Sequence, residues 1–125
     1  MKKIINTSKA PDALGPYSQA VEMKGTLYIS CQVPIDPNTG KLIAGDIKVQ
    51  TRMIMENIRA ILNEAGYGFE NVVKYTCLLK NLDNFAGLNE LVGEYYSVNP
   101  PARTTFQVSK LPLDADVAIE TIAII

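Results

Sequence analysis

The run Val117-Ala118-Ile119-Glu120-Thr121-Ile122-Ala123-Ile124-Ile125 constrains the fold most. It is rich in β-branched residues and apolar at both odd and even positions, which reads as a strand rather than a helix. Side chains of a strand alternate between two faces, so this strand carries an apolar set on each. The chain's own helices can cover one face. The other also needs a cover, and another subunit is the natural one.

The preceding elements supply such a sheet and its helices. Lys3 to Asn6 reads as a short strand, followed by a loop to Pro16 and a polar, aromatic tip at Gly15-Pro16-Tyr17-Ser18-Gln19. Ala20–Met23 and Leu27–Val33 form a hairpin about Gly25, ended by Pro34 and the turn-rich Asp36-Pro37-Asn38-Thr39-Gly40. Asp46 is the expected N-cap of a long helix whose stripe is Ile47, Thr51, Ile54, Ile58, Ile61, Leu62 and Ala65, with Gly66 as its stop. Gln50, Arg52, Glu56, Arg59, Asn63 and Glu64 fall largely off that stripe. Val72–Leu79 is a strand. Asp83 is the expected cap of a second helix bearing Phe85, Leu88, Val92 and Tyr95 or Tyr96 on its apolar face. Gly87 and Gly93 inside it read as close-approach positions, because each costs up to about 1 kcal/mol relative to alanine. The expected class is α+β: one domain over residues 1–125, a two-layer mixed β-sheet with two helices on one face.

Composition removes several functions. The net charge is −1 and no lysine or arginine run stands out, so the electrostatic footprint of a nucleic-acid binder is missing. No stretch could span a bilayer, and Met1 to Asn6 turns polar too soon for a signal peptide, so a cytoplasmic protein is expected. There is no histidine. That removes Ser-His and Cys-His nucleophilic catalysis, imidazole metal sites and the histidine pair common in metal-free ribonucleases. Cys31 and Cys77 lie in separate strand-like runs and are expected to be buried, inert thiols. No metal site, disulfide or cofactor is expected.

Arg103 is the most pointed polar residue. Pro100 and Pro101 stop the preceding helix, and Thr104-Thr105-Phe106 continue as strand, so the arginine sits at a strand mouth on a fixed backbone. A guanidinium there suits a carboxylate or phosphate gripped by two parallel hydrogen bonds. The plainer reading is an ion pair with a carboxylate of its own chain or a neighbour's.

Several motifs in order resemble the RidA family, also called YjgF or L-PSP, of small enamine and imine deaminases. They are Ala10-Pro11, Gly15-Pro16-Tyr17-Ser18-Gln19-Ala20, Ser30-Cys31-Gln32-Val33-Pro34, Pro37-Asn38-Thr39-Gly40, Asn81-Leu82-Asp83-Asn84-Phe85-Ala86 with Asn89, Pro101-Ala102-Arg103, Leu111-Pro112 and Ile119-Glu120-Thr121-Ile122-Ala123-Ile124. The resemblance implies a chorismate-mutase-like fold assembled as a homotrimer, with ligand clefts between subunits. It implies hydrolysis of 2-imino acids such as 2-iminobutanoate to the 2-oxo acid and ammonia. Arg103 would hold the substrate carboxylate, and Tyr17, Ser30, Cys31, Asn89 and Thr105 would line the same cleft.

The chain departs from the pattern at the chemistry. Aligned without gaps from Arg103, the family's water-activating glutamate falls at Ala118, its frequent cysteine at Thr105, and its glycine of Ser-Gly-Gln at Cys31. Loss of a positioned base costs a factor of about 10²–10⁴ in rate. Glu120 shares the face of position 118 but lies roughly 6.5 Å along the strand, against a proton-transfer reach of about 3 Å. It is a weak substitute, and an interface ion pair is its plainer role. Tyr17 could pack with its hydroxyl on backbone, Ser30 and Thr105 could satisfy neighbouring backbone groups, and Asn89 could be an ordinary exposed residue. The readings are a slow deaminase, a non-catalytic sensor or scavenger of small carboxylates, and, disfavoured by the missing histidine, a ribonuclease or translation inhibitor.

Overall fold

The computed structural model describes residues 1–125. Strands β1 (Lys3–Ile5), β2 (Ala20–Met23), β3 (Thr26–Gln32), β6 (Val72–Leu79), β7 (Ala102–Gln107) and β8 (Val117–Ile124) form one sheet in the order β1-β2-β3-β8-β6-β7. Strand β8 is interior, paired antiparallel with β3 and β6. Only β6 and β7 run parallel, joined through helix α2 (Phe85–Gly93), as a parallel pair requires a crossover. Helix α1 (Ile47–Ala65) packs beside α2 on the same face. A two-stranded hairpin, β4 (Ile35–Asp36) with β5 (Lys41–Leu42), stands apart, closed by a turn in which Asp36 Oδ1 accepts from the Asn38 amide at 2.8 Å.

Local signals explain both ends of α1. Asp46 Oδ1 accepts from the Val49 amide at 2.9 Å, a cap worth about 1 kcal/mol. Gly66 turns left-handed at φ 80°, and its amide and that of Tyr67 close on the Asn63 and Leu62 carbonyls. Gln50, expected off the apolar stripe, is buried, and so is Asn57. Gln50 ties loops to the helix and Asn57 ties β4 to it: Gln50 Nε2 donates to Gly45 O and Asp116 Oδ2, and Asn57 Nδ2 donates to Ile35 O.

The second helix is capped differently from expectation. Asn81, not Asp83, accepts at its own turn, taking the Asp83 amide at 2.9 Å and starting the 3₁₀ turn Leu82–Asn84 that leads into α2. Its two glycines also separate. A Cβ at Gly87 would lie 2.5 Å from Ile47 Cγ2, so that glycine sets the α1–α2 approach, whereas one at Gly93 would meet nothing within 4 Å.

Register assigns the faces of β8. Val117, Ile119, Thr121 and Ala123 are buried beneath the helices. On the other face, Ala118 is enclosed by a small cluster that includes Leu111, Ala115, Val33, Leu42 and Leu78. Elsewhere on that face Tyr28, Phe106 and Ile124 are 52%, 46% and 48% exposed, which leaves apolar surface without cover in one chain.

Candidate functional site

Arg103 lies in register with Tyr75 on β6, so its side chain stands on the helix side of the sheet's edge strand. Its Nη1 donates to Asn89 Oδ1 at 2.6 Å, and the guanidinium carbon sits 5.1 Å from the centre of the Phe85 ring. Phe85 and Asn89 are four residues apart on α2, hence on one helix face. Arg52 and Arg59 each pair with a glutamate, Glu94 at 2.9 Å and Glu56 at 3.1 Å. Arg103 pairs with no carboxylate of its chain. A neutral amide and a ring orient the fork without neutralising it, which leaves charge and donors for an anion.

Beside the guanidinium is a cavity of about 390 Å³, lined by Tyr75, Asn89, Val92, Tyr96 and Pro100 among others. Thr105 follows on the same face as Arg103, opposite Cys77. The hydroxyl of Thr105 is buried and finds no hydrogen-bond partner, contrary to the expectation of a backbone contact. Burial pushes the Cys77 thiol up to about 12 even though Arg103 pulls it down, so this cysteine is inert as expected.

Tyr17, Ser30 and Cys31 form a second group. Pairing shifts between Ile29 and Gln32 on β3, so Ser30 and Cys31 together oppose Glu120, a bulge that re-aims both. Ser30 Oγ donates to Ser18 O at 2.6 Å, and Tyr17 Oη accepts from the Leu14 amide at 3.2 Å. Both hydroxyls therefore serve backbone, the plainer reading of each. Tyr17 and Cys31 line a small cleft with Pro11, Leu14 and Val33. Gln19 holds this loop in place: its buried amide takes the Thr7 N–H and donates to the carbonyls of Thr7, Ala10 and Pro11.

Cys31 corrects the expectation of burial, because the bulge leaves the residue exposed. Its thiol is nonetheless pushed up to about 11, by partial desolvation first and by the Glu120 carboxylate second. Such a thiol is a poor nucleophile at neutral pH.

One chain thus brings Arg103, Asn89 and Thr105 together, and Tyr17, Ser30 and Cys31 together, as separate groups. Arg103 and Thr105 point to the helix side, whereas Ala118 and Glu120 lie on the opposite face of β8. Phe85, Gln19 and Tyr96 are the participants that sequence reading missed in these roles. The four-residue spacing of Phe85 and Asn89 was an available signal for the first.

Two helices on one face of a mixed sheet, with an arginine free of carboxylates at the sheet edge, define the class of this protein. Residues 7–125 match the family described as endoribonuclease L-PSP. The chain is 49% identical over 123 residues to a RutC family protein of Pyrococcus horikoshii, covering 98% of each. It is 44% identical over 124 residues to the mouse 2-iminobutanoate/2-iminopropanoate deaminase, covering 99% of this chain and 92% of that one. A Yersinia pestis protein of the conserved Rid family superposes with a TM-score of 0.97 at 44% identity, covering 100% of both chains. The chain belongs to the L-PSP family, also called YjgF or RidA.

Proposed function

We propose that this protein binds small 2-imino and 2-oxo carboxylic acids through Arg103, in clefts between the subunits of a cytoplasmic homotrimer, and hydrolyses 2-imino acids slowly. The observation that carries the reading is Arg103: it is oriented by Asn89 and Phe85 and has no carboxylate of its own chain to pair with. The similarity to a mammalian 2-iminobutanoate/2-iminopropanoate deaminase supports the substrate class. In the reaction, water adds to the imine carbon, the carbon–nitrogen bond breaks, and ammonia leaves the 2-oxo acid. Tyr17, Ser30 and Cys31 of one subunit would face Arg103, Asn89 and Thr105 of the next, which accounts for two residue groups that do not meet within a chain.

The slow rate follows from Ala118. That position is fully buried among apolar side chains, so neither a carboxylate nor an activated water is held there. Glu120 is exposed beside the Ser30–Cys31 bulge and is the remaining acidic group on that face of β8. The same observation favours a second reading, a sensor or scavenger that binds the carboxylate without turnover. The missing histidine pair and lack of a basic tract argue against RNA cleavage, despite the family's description.

Hydrolysis of freshly generated 2-iminobutanoate by the native protein, Arg103→Ala and Glu120→Gln separates these readings. Slow turnover above the buffer rate, lost in Arg103→Ala, is expected of the enzyme. Turnover at the buffer rate with 2-oxobutanoate binding intact identifies the sensor. RNA cleavage dependent on Arg103 contradicts both.

A further inference from the structure

The wall of the cavity beside Arg103 carries one open polar side chain besides the anchor and its amide partner. Arg103 and Asn89 bond each other, the Tyr96 hydroxyl is enclosed by protein, and the rest of the wall except Tyr75 is valine, glycine and proline. Tyr75 pairs in register with Arg103 on the neighbouring strand, so the two side chains stand next to each other on one face of the sheet. Its ring packs against Tyr96, 4.9 Å between centroids, and the residue is 5% exposed, yet its hydroxyl is not sealed in protein as that of Tyr96 is. Burial raises the Tyr75 phenol and the nearby Arg103 guanidinium opposes this only in part, so the group keeps its proton at neutral pH. Beside a cation a phenol turns its oxygen lone pairs inward and its proton away, which leaves that proton to the cavity.

We infer that Tyr75 is a specificity-determining residue: its phenol donates to the acceptor on C2 of the acid held by Arg103, the oxygen of a 2-oxo acid or the nitrogen of a 2-imino acid. The inference rests on the reading of Arg103 as the carboxylate anchor. A guanidinium fork that grips a carboxylate with two parallel bonds occupies the oxygen lone pairs facing it. A donor beside the fork then meets the next acceptor along the ligand, which is the atom on C2. Tyr75 and Arg103 stand on adjacent strands, about 4.8 Å apart, so the donor is displaced to the side of the fork. The cavity, about 390 Å³, has the room of a small-molecule site. An acid with only hydrogen on C2 offers this donor nothing. Tyr75 therefore separates 2-oxo and 2-imino acids from simple carboxylic acids of the same length and charge.

A matched pair tests it: 2-oxobutanoate and butanoate, which share length and charge and differ in the acceptor on C2. Titration calorimetry of the native protein at neutral pH is expected to favour the oxo acid by at least about tenfold, or ~1.4 kcal/mol. In Tyr75→Phe, which keeps the ring and its stack on Tyr96, the two affinities should agree within about twofold, at the level of native butanoate binding. Equal native affinities that both require Arg103 overturn the role of Tyr75 and leave the anchor standing. So does a preference for the oxo acid that persists in Tyr75→Phe, or loss of both acids in that variant. Absence of native binding by either acid, or binding indifferent to Arg103→Ala, overturns Tyr75 and the anchor together.

Discussion

Arg103 and Cys31 show how a side chain's surroundings, rather than its type, decide its chemistry. Arg103 is paired with an amide while Arg52 and Arg59 are paired with carboxylates, so of the three only Arg103 retains an uncompensated charge. Cys31 is accessible but not reactive, because desolvation and the Glu120 carboxylate disfavour its thiolate. With the folded thiol raised to about 11 from an ordinary value near 9.0, the stability this group contributes is present below pH 9 and lost as pH rises through 11. Alkylation by iodoacetamide at pH 7.5 should therefore be slower than that of a free thiol, by about tenfold or more. Glu120→Gln should speed it in part, since desolvation, the larger cause, remains. Alkylation as fast as a free thiol would contradict the assigned surroundings.

Among the elements, the helices were the most legible in sequence. The capping aspartate and terminal glycine of α1 are short-range signals, and both act as read. What the helical stripe could not reveal is that Gln50 and Asn57 are buried, since their partners Asp116 and Ile35 lie far along the chain. Both α2 glycines looked alike for the same reason: only the position of Ile47 distinguishes them. Gly87→Ala should destabilise the fold by about 1–3 kcal/mol in urea denaturation, because the new methyl overlaps Ile47 Cγ2 in the packed helix contact. Adding Ile47→Ala should restore part of that loss. Gly93→Ala, by contrast, should be neutral or stabilise by up to about 1 kcal/mol. Equal effects at the two positions would contradict the close approach.

For the whole molecule, the doubly apolar β8 foretold a face that one chain leaves uncovered, and Tyr28, Phe106 and Ile124 mark it. The division of the candidate site was not legible. It depends on parallel register, which puts Arg103 and Thr105 on the helix side, and on the β3 bulge, which turns Ser30 and Cys31 toward Glu120. Neither is a local property of the sequence. If the uncovered face joins subunits, placing a charge on it should separate them. Tyr28→Glu is expected to shift sedimentation of the protein from the proposed trimer to monomer with its helical circular dichroism retained, and to lower ligand affinity by at least about tenfold if the proposed intersubunit cleft is lost with it. A trimer that persists in Tyr28→Glu would place the interface elsewhere.

Titration calorimetry with 2-oxobutanoate measures directly whether Arg103 anchors a carboxylate. The native protein should bind it, Arg103→Lys should bind it more weakly, and Arg103→Ala should lose at least about tenfold in affinity, or ~1.4 kcal/mol. Binding of equal strength in the native protein and Arg103→Ala would contradict a carboxylate anchor at Arg103, as would a native protein that gives no binding heat at any temperature tried.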